Sequence, residues 1–396
     1  VPGVRFLSAL RRGNVHGAME AGLVPGFLPG RVTLDAGREW YTEAWGGSLP
    51  ASRGLDAHGI LEAAAAGKIE VLIILGSDPV ADFPDADLAR RGIAGVKHMI
   101  AIGGFLTGTS RGSEVVLPPT LAGERSGTIT NLEGRVQGVN QKVAAEGGAM
   151  TDWRIALELA RWLGTDIDIA TVDELTDELG RVAPSFEGVT SALLKRARDG
   201  VVLPLRDHND EIVLRTRALS ILAEDGSGAS WDPIKVEGEP EDPDAVMPDA
   251  EDADEGEAAA AVDPRAPARV APALWEWDGD APGAEVHARD AYALRLVAGR
   301  RLYDHGRLVS ESPALTRVRR PFRLHINPQE VLRLGVEPGT EVKATSTRGS
   351  QVVAIESDAS VPMGVARLDF SANGSGAAAL IDATAAVTDL RLETIR

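Results

Sequence analysis

Residues 69–79 read Ile69-Glu70-Val71-Leu72-Ile73-Ile74-Leu75-Gly76-Ser77-Asp78-Pro79. The first seven are nearly all apolar and include four β-branched residues, which is typical of a strand buried on both faces of a parallel sheet. On either side, the pattern predicts an alanine-rich helix over 57–66 with Asp56 as its N-cap, a helix near 85–91 and a second short buried strand over 98–102. Helices and strands that alternate with short connections predict an open, doubly wound α/β layer.

The pattern is less regular further along the chain. Residues 114–119 predict a brief strand closed by two prolines, and residues 120–149, rich in Gly, Thr, Asn and Arg, predict an ordered loop. Thr151 and Asp152 are expected to cap a helix that runs from Trp153 to Leu163, because its apolar residues recur at helical spacing before a glycine. Residues 172–200 are predicted to be mostly helical.

The last hundred residues change to a β pattern. After about residue 288, many short alternating runs surround one predicted helix that begins at Asn327-Pro328 and stops before Gly335. Residues 337–340 predict a turn, and the Arg348-Gly349 pair predicts a hairpin. Short strands around one short helix predict a small closed barrel.

An acidic segment separates the two halves. Residues 236–262 hold eleven Asp and Glu residues and no Lys or Arg. Such a run cannot bury enough apolar surface to offset the entropy of ordering, so we expect a disordered insert, either a solvated tether or a segment that recruits a basic partner. The predicted organisation is an α/β domain, its helical remainder, the acidic insert and the barrel, over residues 1–150, 151–225, 226–287 and 288–396.

Composition excludes several classes of protein. The chain has 396 residues, 44% hydrophobic and 25% charged, as in ordinary globular domains. It has no apolar run long enough to span a membrane, and its net charge of −18 argues against a nucleic-acid partner. With no cysteine, this segment cannot hold disulfides or Cys-ligated zinc and iron–sulfur clusters. Because the sequence opens on Val1-Pro2-Gly3, we expect it to begin within a longer gene product.

Three groups of residues, in this order, resemble one known family. The first is the strand that ends in Gly76-Ser77-Asp78-Pro79. The second is Glu114-Val115-Val116-Leu117-Pro118 followed by Glu124-Arg125-Ser126-Gly127-Thr128-Ile129-Thr130-Asn131-Leu132-Glu133-Gly134-Arg135-Val136-Gln137. The third consists of Asn327-Pro328, Leu334-Gly335-Val336 and Glu337-Pro338-Gly339-Thr340-Glu341-Val342. Together they are similar to the molybdopterin oxidoreductase superfamily, over residues 1 to about 225 and 288–396. The resemblance implies that the last domain is a double-psi β-barrel.

A narrower resemblance lies at the amino end. Residues 10–18 and 22–31 are similar to the G subunit of respiratory NADH–quinone oxidoreductase (complex I) from high-GC Gram-positive bacteria. This resemblance implies an enzyme that passes electrons from NADH through FMN and iron–sulfur clusters to quinone, with the clusters of this subunit in an amino-terminal region. The present segment would then be a scaffold without a cofactor, metal or catalytic residue of its own. It would dock other peripheral-arm subunits of complex I on the cytoplasmic side of the membrane, without entering it.

The superfamily also implies an alternative. The chain would then be the carboxy-terminal part of a catalytic molybdenum or tungsten bis-pterin oxidoreductase, such as a relative of formate dehydrogenase or nitrate reductase. Only under this alternative is molybdopterin expected as a cofactor. The metal ligand of such an enzyme would be expected upstream of these residues, so this segment discriminates poorly between the two interpretations.

Gly76, Ser77 and Asp78 are the candidate cofactor-binding residues. In catalytic relatives this strand end lies near the pterin nucleotide, and ligands bind outside the carboxyl ends of parallel strands. A glycine lets the backbone approach a phosphate and a serine can donate a hydrogen bond to it. The other interpretation is a plain strand-to-helix turn capped by Asp78. The resemblance to the complex I protein implies that these residues are a vestigial pterin-nucleotide site.

Other polar and aromatic residues receive structural interpretations. Five polar residues of the loop over 120–149 have two possible roles: they could line a cofactor or electron-transfer site, or form ion pairs that lock two domains together. We favour the ion pairs. The residues are Glu124, Arg125, Asn131, Glu133 and Arg135. The histidines show no metal-like pairing, so no metal site is expected at His16, His58, His98, His208, His287, His305 or His325. Residues 317–320 are expected to form a solvated turn rather than a contact with a subunit or phosphate. Core packing is predicted for Trp153 and Trp162.

Overall fold

The structure is a computed structural model that describes residues 13–204, 272–274, 286–303, 306–370 and 376–395. The acidic segment 236–262 lies outside these ranges, so its expected disorder stays a prediction. In the part of the chain that the structure describes, no helix combines the length and the apolar character needed to cross a membrane.

The amino-terminal elements form a small packed unit. They are α1 (Val15–Glu20), β1 (Phe27–Leu28), β2 (Val32–Thr33) and α2 (Leu34–Trp45), with β1 and β2 paired antiparallel. Tyr41 is fully buried in this unit and donates its hydroxyl to the carbonyl of Pro29 at 2.6 Å. The buried carboxylate of Glu20 lies 2.7 Å from Arg31 and accepts a hydrogen bond from Ser185, which ties this unit to a later part of the chain.

The predicted α/β alternation is confirmed. Three strands form a parallel sheet in the order β3-β4-β5. The elements of this layer, in chain order, are α3 (Ala57–Ala65), β3 (Val71–Leu75), α4 (Pro79–Asp82), α5 (Ala86–Gly95), β4 (His98–Ile102) and β5 (Val115–Leu117). The predicted cap of α3 is also confirmed, since Asp56 accepts a hydrogen bond from the amide of Gly59 at 2.9 Å.

Strand β3 differs from the prediction in one respect. Successive side chains of a strand point to opposite faces, and Ile74 is 7% exposed whereas Val71, Ile73 and Leu75 are 56%, 51% and 50% exposed. The expectation that both faces of β3 are buried is therefore wrong for the described residues. The physical reason is that α3 and α5 pack against each other in one layer, and no described helix covers the face that carries Ile73.

A second sheet lies where the sequence predicted only loop. Strands β6 (Gly127–Thr130) and β7 (Arg135–Val139) form an antiparallel hairpin, and β8 (Val201–Val202) pairs with β7. The expectation of a loop over 120–149 is wrong there, because the alternating Thr-Ile-Thr run of β6 fits a pleated strand. The turn is closed by Gly134, whose φ of +78° favours glycine.

The predicted helices that follow are confirmed. They are α6 (Asp152–Trp162), α7 (Val172–Val182) and α8 (Ser191–Arg196). Thr151 stands at the start of α6, but its side chain makes no capping hydrogen bond, contrary to expectation. Trp162 is 86% exposed, so the prediction of core packing is wrong for this residue. It lies at the end of α6, whose buried position is Ile155.

The carboxy-terminal part closes into the predicted barrel. Six strands follow one another in the order β10-β12-β11-β14-β9-β13 and return to β10; β10–β12 and β9–β13 are parallel, and the other pairs are antiparallel. Aliphatic side chains such as Leu324, Ile326 and Leu368 fill it. Its elements are β9 (Leu294–Gly299), α9 (Arg307–Ser310), β10 (Leu324–Ile326), α10 (Pro328–Leu334), β11 (Glu341–Thr345), β12 (Ser350–Ser357), β13 (Val365–Asp369) and β14 (Asp389–Thr394).

Candidate functional site

A cleft of about 600 Å³ lies between the carboxyl ends of β3 and β4 and the segment that follows β9. The three predicted site residues line it together: Gly76, Ser77 and Asp78. From the other side it is lined by Arg300 and by the start of α9. This is the place where ligands bind in open parallel sheets, so the cleft is the candidate functional site.

Asp78 anchors the cleft. Its side chain is only 6% exposed, accepts a hydrogen bond from the hydroxyl of Thr109 at 2.5 Å, and lies 3.1 Å from the guanidinium of Arg307. The interpretation of Asp78 as a simple cap is wrong, because its side chain makes no capping hydrogen bond to α4. Burial disfavours the charged form of Arg307, but hydrogen bonds to Glu311 and Asp78 outweigh it and raise the pKa of Arg307.

The other charged residues of the cleft are paired in the same way. Asp82 forms an ion pair with Arg300, and Arg125 forms one with Asp152. With Asp78 and Arg307, the lining carries three aspartates and three arginines, each of them in an ion pair, and Arg307 also lies 3.0 Å from Glu311. These charges cancel within the cleft.

Further contacts hold the barrel against the α/β layer beneath the cleft. Asp85 is 1% exposed and lies 3.1 Å from Arg348 of the hairpin between β11 and β12. Ala86 packs with Phe370 and Ala378 in a small apolar cluster that joins both parts. These contacts join the α/β layer to the barrel.

The lining is partly compatible with a bound nucleotide. A side chain at Gly76 would meet nothing within 4 Å, and one at Gly103 would meet only the carbonyl of Phe105 at 3.9 Å. The hydroxyl of Thr120 is buried and lacks a hydrogen-bond partner among the described residues. A pyrophosphate, however, needs cations, and every arginine of the cleft already contacts a carboxylate. The donors present fit a neutral ligand better than the phosphates of a pterin dinucleotide.

A smaller pocket of about 440 Å³ adjoins the cleft and shares Gly104, Phe105 and Arg307 with it. It is also lined by Arg111, which is exposed and has no carboxylate at ion-pair distance among the described residues. Of the described side chains around the two cavities, this guanidinium is the one that suits an anionic group.

Most of the other predicted polar residues lie outside the cleft. Of the five loop residues, only Arg125 lines the cleft. Asn131 accepts hydrogen bonds from the amides of Glu133 and Arg135, and Arg135 lies 3.2 Å from Glu133, so these three stabilise the β6–β7 turn. Glu124 accepts a hydrogen bond from the amide of Leu121. The ion pairs of Arg125 and Arg135 join segments of the α/β part to one another, so they do not lock it to the barrel.

The histidines among the described residues do not line the cleft. His98 lies 3.0 Å from Glu114, His287 lies 3.1 Å from Asp389, and His325 lies 3.3 Å from Asp358. The described residues contain no group of three or more His, Asp or Glu side chains that could hold a metal ion. His208 and His305 lie outside the described residues, and the expectation that the chain binds no metal stays a prediction.

The cleft residues that were not predicted from the sequence as site residues include Asp82, Thr120, Asp152, Arg300 and Arg307. A signal existed for Asp82, because aspartates at 78, 82 and 85 stand within eight positions of one another after the apolar strand. Nothing in the sequence indicated which arginines they meet, since those lie more than 200 residues further along the chain.

Comparison with known proteins agrees with this architecture. The family model described as Molybdopterin oxidoreductase matches residues 11–162, and the Molydopterin dinucleotide binding domain matches residues 294–390. The α subunit of F420-dependent formate dehydrogenase 1 from Methanococcus maripaludis is 25% identical over 373 residues, covering 93% of this chain and 48% of that protein. The NADH-quinone oxidoreductase G subunit 2 from Rhizobium meliloti is 32% identical over 191 residues, covering 48% of this chain and 22% of that protein.

The chain thus spans less than half the length of each of these curated relatives. Among solved structures, acetylene hydratase from Pelobacter acetylenicus aligns with a TM-score of 0.49 at 14% identity, covering 89% of this chain and 45% of that one. The first family model spans the parallel sheet and the β6–β7 hairpin, and the second spans the barrel. The chain therefore belongs to the molybdopterin oxidoreductase superfamily.

Proposed function

We propose that this chain is the scaffold part of a G-type subunit of an NADH–quinone oxidoreductase, with a cleft that joins two domains rather than holding a pterin. One observation carries the proposal: the three arginines and three aspartates of the cleft pair with one another. A pyrophosphate would have to draw a guanidinium away from its carboxylate, and the loss of that cation is costly for Asp78, whose side chain is buried.

The similarity to the G-type protein from Rhizobium meliloti supports the same proposal. The whole enzyme would move electrons from NADH through FMN and iron–sulfur clusters to quinone. We propose that those clusters are held outside this segment, which has no cysteine. Its partners would be the other peripheral-arm subunits, on the cytoplasmic side of the membrane.

A second candidate is the carboxy-terminal part of a molybdenum or tungsten bis-pterin oxidoreductase. It is supported by the match to a dinucleotide-binding domain, by the formate dehydrogenase relative and by Arg111 beside the cleft, which meets no carboxylate of the described residues. The open space at Gly76 and Gly103 would admit the nucleotide, and Arg111 would meet a phosphate. The pterin-bound metal would supply the redox chemistry.

Metal and pterin content distinguishes the two candidates. The protein should be purified in its assembled form from cells supplied with molybdate and tungstate. Elemental analysis and the fluorescence of oxidised pterin would then be measured on the same sample. We expect both to be far below stoichiometric amounts. Stoichiometric pterin, lowered by Arg111→Ala, would overturn the scaffold proposal in favour of the second candidate.

A further inference from the structure

The segment that leads into the barrel is basic. Residues 299–325 hold seven Arg, one Asp, one Glu and no Lys, so they carry a charge of +5 in a chain whose net charge is −18. Three of these arginines, at 300, 301 and 307, form ion pairs with aspartates. The other four have no carboxylate at ion-pair distance among the described residues, and we call them the arginine turn: Arg317, Arg319, Arg320 and Arg323.

The arginine turn is held on the barrel. A short 3₁₀ helix covers Thr316–Val318, and the guanidinium of Arg319 donates a hydrogen bond to the hydroxyl of Ser310 at 3.2 Å. Phe322 packs against the apolar core of the barrel. Arg317 and Arg320 are exposed. Positive charges that are held near one another repel, so an anionic occupant would stabilise this surface.

The chain itself contains a segment of the opposite charge. Residues 236–262 hold eleven Asp and Glu residues and no Lys or Arg. One exposed ion pair contributes little to binding, so a single carboxylate would not occupy the arginine turn. Several pairs that form together are different, because a tether within one molecule raises the effective concentration of the second partner to the millimolar range.

The length of the tether permits this contact. Its downstream end is fixed where Leu274 packs against the apolar cluster of the amino-terminal unit. The last carboxylate of the acidic segment, Glu257, precedes Pro272 by fifteen residues, which an extended chain spans over at most about 50 Å. A folded chain of 396 residues is about as wide.

We propose that the acidic segment 236–262 docks on the arginine turn of the same chain and keeps other polyanions away from it. Carboxylates of the segment form ion pairs with the exposed guanidinium groups of Arg317 and Arg320. The inference goes beyond the proposed function and does not depend on it, because no residue of the arginine turn lines the cleft.

Carbodiimide coupling tests the contact in the assembled protein. The reagent joins a carboxylate to a lysine amine in contact with it and leaves arginine unchanged, so Arg317→Lys and Arg320→Lys keep the charge and add a reactive amine. Mass spectrometry should find each new lysine coupled to the acidic segment. Salt at about 1 M should abolish the product, because it screens exposed charges beyond about 3 Å.

Arg161→Lys is the matched control for this coupling. Arg161 is exposed on α6 and has no carboxylate at ion-pair distance among the described residues. Its coupling to the acidic segment should be at least about tenfold weaker. Equal yields at positions 161, 317 and 320, or no coupling of position 317 or 320 to the segment, would overturn the proposal. So would products that join labelled to unlabelled chains in a mixture of the two, because the occupant would then come from a second copy.

Heparin binding tests whether the arginine turn is occupied in the native protein. Replacing the eleven carboxylates of the acidic segment by amides keeps its length and should raise the affinity for heparin about tenfold or more. Adding Arg317→Gln and Arg320→Gln should remove most of that rise, whereas adding Arg161→Gln and Arg196→Gln should leave most of it. In the native background the first pair should change the affinity less than about twofold. Equal effects of that pair in both backgrounds would show that the arginine turn is free and would overturn the proposal.

Discussion

Asp85 has two structural roles at the contact between the α/β layer and the barrel. One carboxylate oxygen accepts a hydrogen bond from the amide of Leu88 at 2.9 Å and caps α5, while the other lies 3.1 Å from Arg348. Arg348 keeps a second partner, Asp382, at 2.9 Å. Hydrogen bonds from Thr384 and the neighbouring charge of Arg348 lower the pKa of Asp382, so that carboxylate stays ionised.

We expect Asp85→Ala to lower the free energy of unfolding by about 2–3 kcal/mol, because both the cap and a buried ion pair are lost. Asp85→Asn should cost about half as much, since asparagine is an equally good cap. Asp87→Ala is the control on the same helix: its exposed pair with Arg91 should contribute at most about 1 kcal/mol. Urea unfolding measures all three, and equal losses for Ala and Asn at position 85 would contradict the capping role.

His325 makes the stability of the barrel depend on pH. Burial, followed by the positive charges of Arg367 and Arg301, lowers the pKa of His325 below its usual value of 6.5. The unfolded chain therefore binds a proton at a pH where the folded barrel does not, and stability falls as the pH drops below about 7. The carboxylate of Asp358 titrates at lower pH, because hydrogen bonds from Ser360 lower its pKa.

We predict that the free energy of unfolding decreases between about pH 7.5 and about pH 5.5, and that His325→Gln flattens this dependence. The check is urea unfolding at several pH values in that window. Identical slopes for the native chain and for His325→Gln would show that another group is responsible.

At the scale of elements, β3 has one buried and one open face. Ile74→Ala should cost about 2–4 kcal/mol, because a buried side chain leaves a cavity. Ile73→Ala should cost about 1 kcal/mol or less, since its side chain is half exposed in the chain alone. Thermal or urea unfolding of the two variants compares neighbouring residues of identical chemistry, and equal losses would mean that both faces are covered.

The elements were predictable where local chemistry determines them. The predicted caps of α3 and α6 illustrate both outcomes: the carboxylate of Asp56 caps its helix, whereas the hydroxyl of Thr151 does not. The open face of β3 could not be predicted, because an apolar run indicates that a strand prefers burial and does not show what covers it. The β6–β7 hairpin was missed because short strands rich in Gly, Thr and Arg resemble loop in composition.

The candidate site was predictable only in part. The strand end at Gly76-Ser77-Asp78 was identified, because a buried strand followed by glycine marks the edge of a parallel sheet where ligands bind. The partner of Asp78 was not, since Arg307 lies 229 residues further along the chain and no local pattern connects them. Which side chains meet across two domains depends on how the domains pack, and a local stretch of sequence does not determine that packing.

At the scale of the molecule, the pair between Asp78 and Arg307 joins the sheet edge to the segment after β9. Arg307→Ala should be strongly destabilising, by about 3–5 kcal/mol, because it leaves the buried carboxylate of Asp78 without its cation. Adding Asp78→Asn should recover most of that loss, since a neutral amide costs far less to bury than an unpaired charge. Arg317→Ala is the control, because Arg317 is exposed and should change stability by less than about 0.5 kcal/mol.

Urea unfolding gives the three free energies, and hydrogen exchange over residues 104–111 and 306–311 shows whether the change is felt on both sides of the cleft. With Arg307→Ala, both segments should exchange faster, and both should regain protection when Asp78→Asn is added. A double variant no more stable than Arg307→Ala alone would mean that the guanidinium acts through packing rather than through charge. The ion pairs of the cleft would then contribute little to stability, and the main support for a cleft that excludes phosphates would be lost.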